Sequence, residues 1–357
     1  MNMIRKDVGL SPRESIIIKI LFANNARSSS AVHEKLLAEG ERLSLVTTKR
    51  ALSAMTKHGL LITSGAGRSV AYSVSVIGRI FFDVDAHEYC SIEPDKRFGM
   101  SRYVIDLFAH IPDELFTANE MERLVQATAE YKKRTEHIPP AIEKKELERL
   151  IIELSWKSSK IEGNTYTLLD TEKLILENRE APGHDHKEAQ MILNHKNVFT
   201  FIREHAEEFH TLSRANLETV HAILVKDMGV DTGLRKSPVG VVGSIYHPLD
   251  NIHQIREGVD ALSSAVSRMA TPYAKAMVAL LGISYLQPFA DGNKRTSRLF
   301  ANAILLAHEY APLSYRSVDE NEYREAMLVF YELNSIIPLK RIFVEQYAFS
   351  AENYTVK

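Results

Sequence analysis

Gln287-Pro288-Phe289-Ala290-Asp291-Gly292-Asn293-Lys294-Arg295-Thr296-Ser297-Arg298 is the stretch whose reading decides the fold. An apolar run from Ala274 to Leu286 precedes it, with Met277, Val278, Leu281 and Tyr285 at helical spacing. A second run, Leu299 to Leu306, puts Leu299, Phe300, Ala303 and Leu306 on one face. Asp-Gly between two such runs is a turn, because glycine adopts the positive φ that a tight reversal needs. The second helix is expected to begin near Asn293, its free N–H groups and positive dipole end facing whatever lies above the turn. Arg295 and Arg298, three positions apart, share one side of its first turn. The Asp291 carboxylate at the lip is a candidate ligand for a divalent cation. An anion cradle, two guanidiniums and one metal-ligand candidate together describe a nucleotide triphosphate site.

The surrounding chain narrows the class. Its 357 residues are 45% hydrophobic and 25% charged, enough for a packed core in two or three modules of a soluble protein. No apolar run approaches the ~18–20 residues of a membrane span, so no membrane partner is expected. Met1 to Gly9 has mixed charge and no signal-peptide core. The single cysteine, Cys90, excludes an internal disulfide framework and fits a reducing, cytoplasmic setting. His184 and His186 sit two apart in a polar loop without further spaced ligands, which argues against a metal there. His205, His210 and His221 carry no specific signal.

Net charge is −2 but uneven, since residues 1–75 hold eleven Lys/Arg against five Asp/Glu, a net +6. Ser11-Pro12-Arg13-Glu14 reads as an N-cap with proline at the first helical position, leading into Ile16–Phe22. Helices follow from Ala31 to Leu37 and from Ser44 to His58. Leu60 to Thr63, a Gly65-Ala66-Gly67 turn and Val70 to Val74 then make a hairpin. This order resembles a winged helix-turn-helix, in which Thr47, Thr48, Lys49 and Arg50 would enter the DNA major groove and Arg68 would meet phosphate.

The signature stretch resembles that of the Fic (Fido) family, His-x-Phe-x-(Asp/Glu)-Gly-Asn-x-Arg-x-x-Arg. Every fixed position matches except the first, where Gln287 replaces histidine. Members move AMP from ATP onto a hydroxyl of a target protein. The resemblance implies a Mg2+ ion held by Asp291 and phosphates held by Gly292, Asn293, Lys294, Arg295 and Arg298. It also implies that the base is missing, because a carboxamide has no proton-accepting pKa near neutrality. His247 is the one neighbouring substitute worth naming.

Upstream, Ser158-Ser159-Lys160-Ile161-Glu162-Gly163 ends an amphipathic helix that begins at Glu143 and carries Leu147, Leu150, Ile151 and Leu154 at helical spacing. Ser158 and Glu162 share a face and Gly163 is a natural stop. The segment is similar to the family's inhibitory motif, whose glutamate pairs with the second signature arginine, here Arg298, and obstructs the γ-phosphate position. Val239, Val241 and Ile245 alternate with glycines through Tyr246 and read as a short hairpin. It resembles the family's flap, which holds a target segment by strand addition, here through Ser244, Ile245 and Tyr246.

The expected architecture is mainly α: a Fic-type helical bundle with a short β-hairpin flap, preceded by a small winged-helix α+β domain. The expected limits are 1–85 for the first domain, 86–140 for a connecting region with helices from Tyr103 to His110 and Ala118 to Thr135, and 141–357 for the Fic domain with inhibitory helix 143–163; Ile80-Phe81-Phe82, just before the connecting region, reads as strand-like. The expected partners are ATP, a target protein, DNA through the N-terminal module, and a second copy of the chain. Two functions follow: a self-inhibited, catalytically impaired adenylyltransferase, or a nucleotide-responsive DNA-binding regulator with a non-catalytic Fic domain.

Overall fold

A computed structural model describes residues 10–22 and 27–356. The reading of Met1 to Gly9 lies outside these. The chain opens with α1 (Pro12–Phe22), α2 (Ser29–Ala38) and α3 (Leu45–Lys57), followed by antiparallel β1 (Leu61–Ser64) and β2 (Ala71–Val74). The strand register pairs Leu61 with Val74 and Ser64 with Ala71. Ser28 and Ser44 cap α2 and α3 by accepting from Ala31 N and Thr47 N, the usual role of a serine just before a helix.

Next come α4 (Val76–Ile80), α5 (Ala86–Ser91), α6 (Leu107–His110) and α7 (Ala118–Thr135). Two expectations change here. Ile80-Phe81-Phe82 is not strand-like: the Ser75 hydroxyl accepts from Gly78 N and nucleates α4, with Phe81 and Phe82 buried just after it. The helix expected from Tyr103 is only the single turn of α6, because Val104 N instead donates to the Tyr285 hydroxyl. The Ala118–Thr135 helix stands, closed at its start by a Thr117–Glu120 capping box.

The helical body comprises α8 (Pro140–Ile161), α9 (Leu168–Glu177), α10 (His186–Glu204), α11 (Arg214–Leu224), α12 (Ile252–Arg268), α13 (Pro272–Leu286), α14 (Asn293–Ala307), α15 (Glu320–Leu333) and α16 (Ile337–Asn353). The antiparallel pair α13 and α14 is its centre, with α8, α10 and α11 against α14, and α12 and α15 against α13. Every residue of α13 from Tyr273 to Leu286 except Lys275 is buried, and a helix apolar all round belongs inside a core.

Two apolar clusters result. The larger runs from Ile80 through α7 to Val356. The smaller joins α1, α2, α3 and the hairpin to Phe82, Tyr89, Val329 and Leu333, so α15 lends residues to both. The expected flap hairpin is absent. Residues 231–250 form no strand, only a turn in which Ser244 N donates to Val241 O and an isolated bridge between Arg102 and His247. Pro238 and Gly240 weaken any ladder, and the segment's backbone groups are taken by Arg97, Arg235 and Ser101 instead.

Candidate active site

The turn between α13 and α14 is set by two left-handed residues. Gln287 closes α13 at φ 49° and Gly292 precedes α14 at φ 78°. Asn293 knits the loop together. Its Oδ1 accepts from Phe289 N at 2.9 Å, and its Nδ2 donates to Phe289 O at 2.8 Å and to Gln287 Oε1 at 3.0 Å. Gln287 Nε2 donates to Ser284 O at 2.6 Å. Both ends of the carboxamide are therefore engaged in holding the turn.

Two residues outside the signature brace this loop. Arg235 Nε donates to Gln287 O at 2.6 Å and its Nη1 to Ser237 O at 2.8 Å, Nη2 also reaches Leu249 O, and Arg235 N donates to Pro288 O at 2.9 Å. His221 stacks on Phe289 with ring centroids 3.7 Å apart and planes 4° from parallel. Burial pushes its imidazole down to about 4. It is then neutral near pH 7, with Nε2 donating to Asp291 O at 3.0 Å. Neither role is visible in the sequence, since the loop residues they brace lie more than fifty positions away.

A cluster of cationic side chains is assembled at the start of α14. Arg295 is 3% exposed on its side chain, and its Nη2 lies 3.4 Å from Asp291 Oδ2. Arg298 is fully buried, and its Nε donates to Ser158 Oγ at 2.8 Å and its Nη2 to Ser158 O at 2.9 Å. The same Nη2 pairs with Glu162 Oε1 at 2.8 Å, and Lys294 Nζ stands 3.6 Å from Glu162 Oε2. The guanidinium carbon lies 5.5 Å from the centre of the Tyr323 ring, within cation–π range. Arg298 Nη1 has no hydrogen-bond partner among the described residues. Burial alone would raise the Glu162 carboxyl, but Arg298 above all, then Lys294 and Arg295, hold it below the usual carboxylate range.

A cavity of about 240 Å³ opens over the start of α14, lined by Glu162, Met191, the 239–242 loop and residues 287 and 290–295. Ligand pockets commonly span about 300–1,000 Å³, so this one is small, and Glu162 is part of its wall. Asp291 is largely exposed at the rim. No group of three or more His, Cys, Asp or Glu capable of holding a metal occurs among the described residues. A single carboxylate fits Mg2+ arriving with phosphates, since that ion is usually held by one or two carboxylates and substrate oxygens.

Other expected residues fall elsewhere. Gly163 ends the α8 segment at φ 97°. Ser244 and Tyr246 are anchors, not an open strand edge: Ser244 Oγ donates to Glu332 Oε1 at 2.6 Å and the Tyr246 hydroxyl to Tyr285 O at 2.7 Å, while Ile245 between them is half-buried. The exposed tip is Val242. His247 is exposed and does not line the cavity. In the N-terminal module Thr47, Lys49, Arg50 and Arg68 are exposed, but Thr48 is buried with its hydroxyl 2.9 Å from His33 Nδ1, which removes it from any groove-facing set.

Comparison with known proteins places this geometry. The Fic/DOC family profile matches residues 211–305. The chain is 26% identical over 174 residues to the protein adenylyltransferase Fic of Nematostella vectensis, covering 48% of this chain and 41% of that protein. It is 25% identical over 207 residues to protein adenylyltransferase fic-1 of Caenorhabditis elegans, covering 54% and 39%. The chain thus spans about two fifths of the length of these curated relatives. Among solved structures, Fic-1 from C. elegans aligns with a TM-score of 0.55 at 18% identity, over 66% of this chain and 71% of that one. A Fic domain-containing signalling protein from Bacteroides thetaiotaomicron aligns at 0.54 and 19%, over 64% and 94%. At such identities these structures establish the shared fold.

The Glu162 pair has a definite pH signature. A carboxyl lowered on folding from its ordinary 4.5 contributes stability that is fully present above that value and is lost as pH falls through the folded pKa. Urea unfolding of wild type and Glu162→Gln across pH 7 to 3 is expected to show a constant wild-type advantage down to about pH 5 that shrinks below it. A difference that does not change with pH would show the pair contributes nothing through charge.

Proposed function

The chain carries a Fic/DOC family domain at residues 211–305, and on that premise we propose that it is a nucleotide-binding, adenylyltransferase-like protein, held off by Glu162 and impaired in transfer by Gln287. The observation that carries this reading is the 2.8 Å contact between the buried Arg298 and Glu162, a residue that lines the cavity over α14. Arg298 is buried without exposure, and stripping one partner from a buried pair costs about 3–5 kcal/mol. Glu162 therefore leaves only if another anion takes its place. A terminal phosphate is such an anion, and Arg298 Nη1, with no partner among the described residues, is a donor ready for it. ATP is the proposed ligand, with Mg2+ at Asp291 screening charge between the phosphates.

In AMP transfer a target hydroxyl oxygen bonds to the α-phosphorus, the bond to the bridging oxygen breaks, pyrophosphate leaves, and the hydroxyl proton needs an acceptor. Arg295, Lys294 and the first N–H groups of α14 supply the positive field for that charge. Gln287 supplies no acceptor, and its carboxamide is already committed to Ser284 and Asn293. The 239–242 loop roofs the cavity and is the proposed contact for a protein target.

A second reading rests on the N-terminal module. Thr47, Lys49 and Arg50 on α3 and Arg68 between the strands are all exposed on a three-helix and hairpin unit. This supports DNA contact and a regulator that responds to nucleotide, the finer partners and the 1–85, 86–140 and 141–357 division belonging to the same proposal.

Incubation with α-labelled ATP separates these readings. Glu162→Gly with Gln287→His is expected to label protein, and Glu162→Gly alone to label about 10²–10⁴-fold less, the usual worth of a general base. Strong labelling by unmodified protein would overturn the impairment. For the second reading, retention on mixed-sequence DNA is expected to weaken as salt rises and to fall further with Lys49→Glu and Arg50→Glu. No retention at low salt would remove it.

A further inference from the structure

Glu332 is a carboxylate with no exposure at all, on α15 and outside the matched family domain. Four groups converge on it from three parts of the chain. The Tyr89 hydroxyl of α5 lies 2.7 Å from Oε2. Arg97 Nη1 pairs with Oε1 at 3.3 Å, both side chains nearly or wholly buried. Ser244 Oγ donates to Oε1 at 2.6 Å. Met100 N donates to the Glu332 backbone carbonyl at 2.7 Å. Arg97 also reaches the loop that carries Ser244, with Nη1 donating to Gly243 O at 2.9 Å.

Arg97 is itself fixed from the N-terminal side. Its Nε and Nη2 donate to Ile92 O at 2.8 Å and Cys90 O at 3.0 Å, and its guanidinium lies 5.7 Å from the centre of the Tyr89 ring. The next residue, Phe98, packs edge-on against Tyr89 at 5.4 Å and lies 6.3 Å from Phe22 of α1. A connected path of packed rings and charge-assisted bonds thus runs from α1 to Gly243 and Ser244. Immediately before those anchors in the chain come Val239, Gly240, Val241 and Val242, which line the cavity over α14.

A buried carboxylate survives only where its lone pairs are filled, and here the filling comes jointly from the N-terminal segment and the 239–246 loop. We propose that Arg97 and Glu332 are positioning residues for that loop, so that the N-terminal module sets the roof of the nucleotide cavity. Neither touches the cavity. They act through Gly243 O and Ser244 Oγ, and a partner that moves Tyr89 or Phe98 moves the loop with them. This rests on the cavity being the working site, but the link itself is a property of the chain without nucleotide.

Amide hydrogen exchange on the full-length protein tests it. Ser244→Ala leaves the Arg97–Glu332 pair in place and is expected to raise exchange in residues 239–246 by about tenfold, the worth of one hydrogen bond to a charged group. Arg97→Gln is expected to raise it further, and Arg97→Lys to recover part of the loss. Helices α12 and α13 stay protected in all three, which a merely global loss of stability would not allow. Tyr89→Phe keeps the ring packing, removes the hydroxyl and is expected to loosen the same loop. Unchanged exchange at 239–246 in Ser244→Ala and Tyr89→Phe overturns the proposal even if Arg97→Gln fails to fold. ATP titration of wild type and Glu162→Gly is read separately, so absence of nucleotide binding in both sinks the functional reading and leaves the loop measurement intact.

Discussion

Arg298 is the constraint on which the site depends. A guanidinium does not lose its proton in a protein, so its complete burial obliges the fold to bring acceptors to it. Ser158 and Glu162 arrive from α8, and the Tyr323 ring arrives from α15. The register of three helices follows from satisfying one charge. The end of α8 is further tied down by Arg324 Nε, which donates to Ile161 O at 2.7 Å, and by Lys157 paired with Glu320. The backbone that carries Glu162 is thus tied down just before its contact with Arg298.

The loop before α14 is built on the same economy of polar groups. Asn293, Arg235 and His221 between them occupy the carbonyls of Gln287, Pro288-Phe289 and Asp291. Gln287 belongs to this scaffold. A histidine there would trade one or both of its carboxamide bonds for an imidazole, so the position that would restore a base also bears on the shape of the turn.

The helices were legible where a local pattern settles them. The α13 and α14 pair follows from two periodic apolar runs around Asp291-Gly292, and Ser158 with Glu162 follows from helical spacing. The flap was misread because alternation at Val239, Val241 and Ile245 describes a strand only when another strand is present to pair with it, and none is. Thr48 was misread because α3 turns that hydroxyl towards His33, a contact fifteen positions away. Arg235, His221 and Glu332 had no local signal at all. Glu332 sits in a helix rich in charge and looks like a surface residue until Tyr89, Arg97 and Ser244 are brought around it by the packing of α15 between the two apolar clusters.

If Glu162 occupies the place of an incoming anion at Arg298, removing its carboxylate must strengthen nucleotide binding without altering the rest of the cavity. Calorimetric titration of ATP with Mg2+ into wild type and Glu162→Gly is the direct measurement. Tighter binding by the variant, with the gain disappearing when AMP replaces ATP, is the expected result. Equal affinities for ATP in the two proteins would contradict the occupation of the anion site by Glu162.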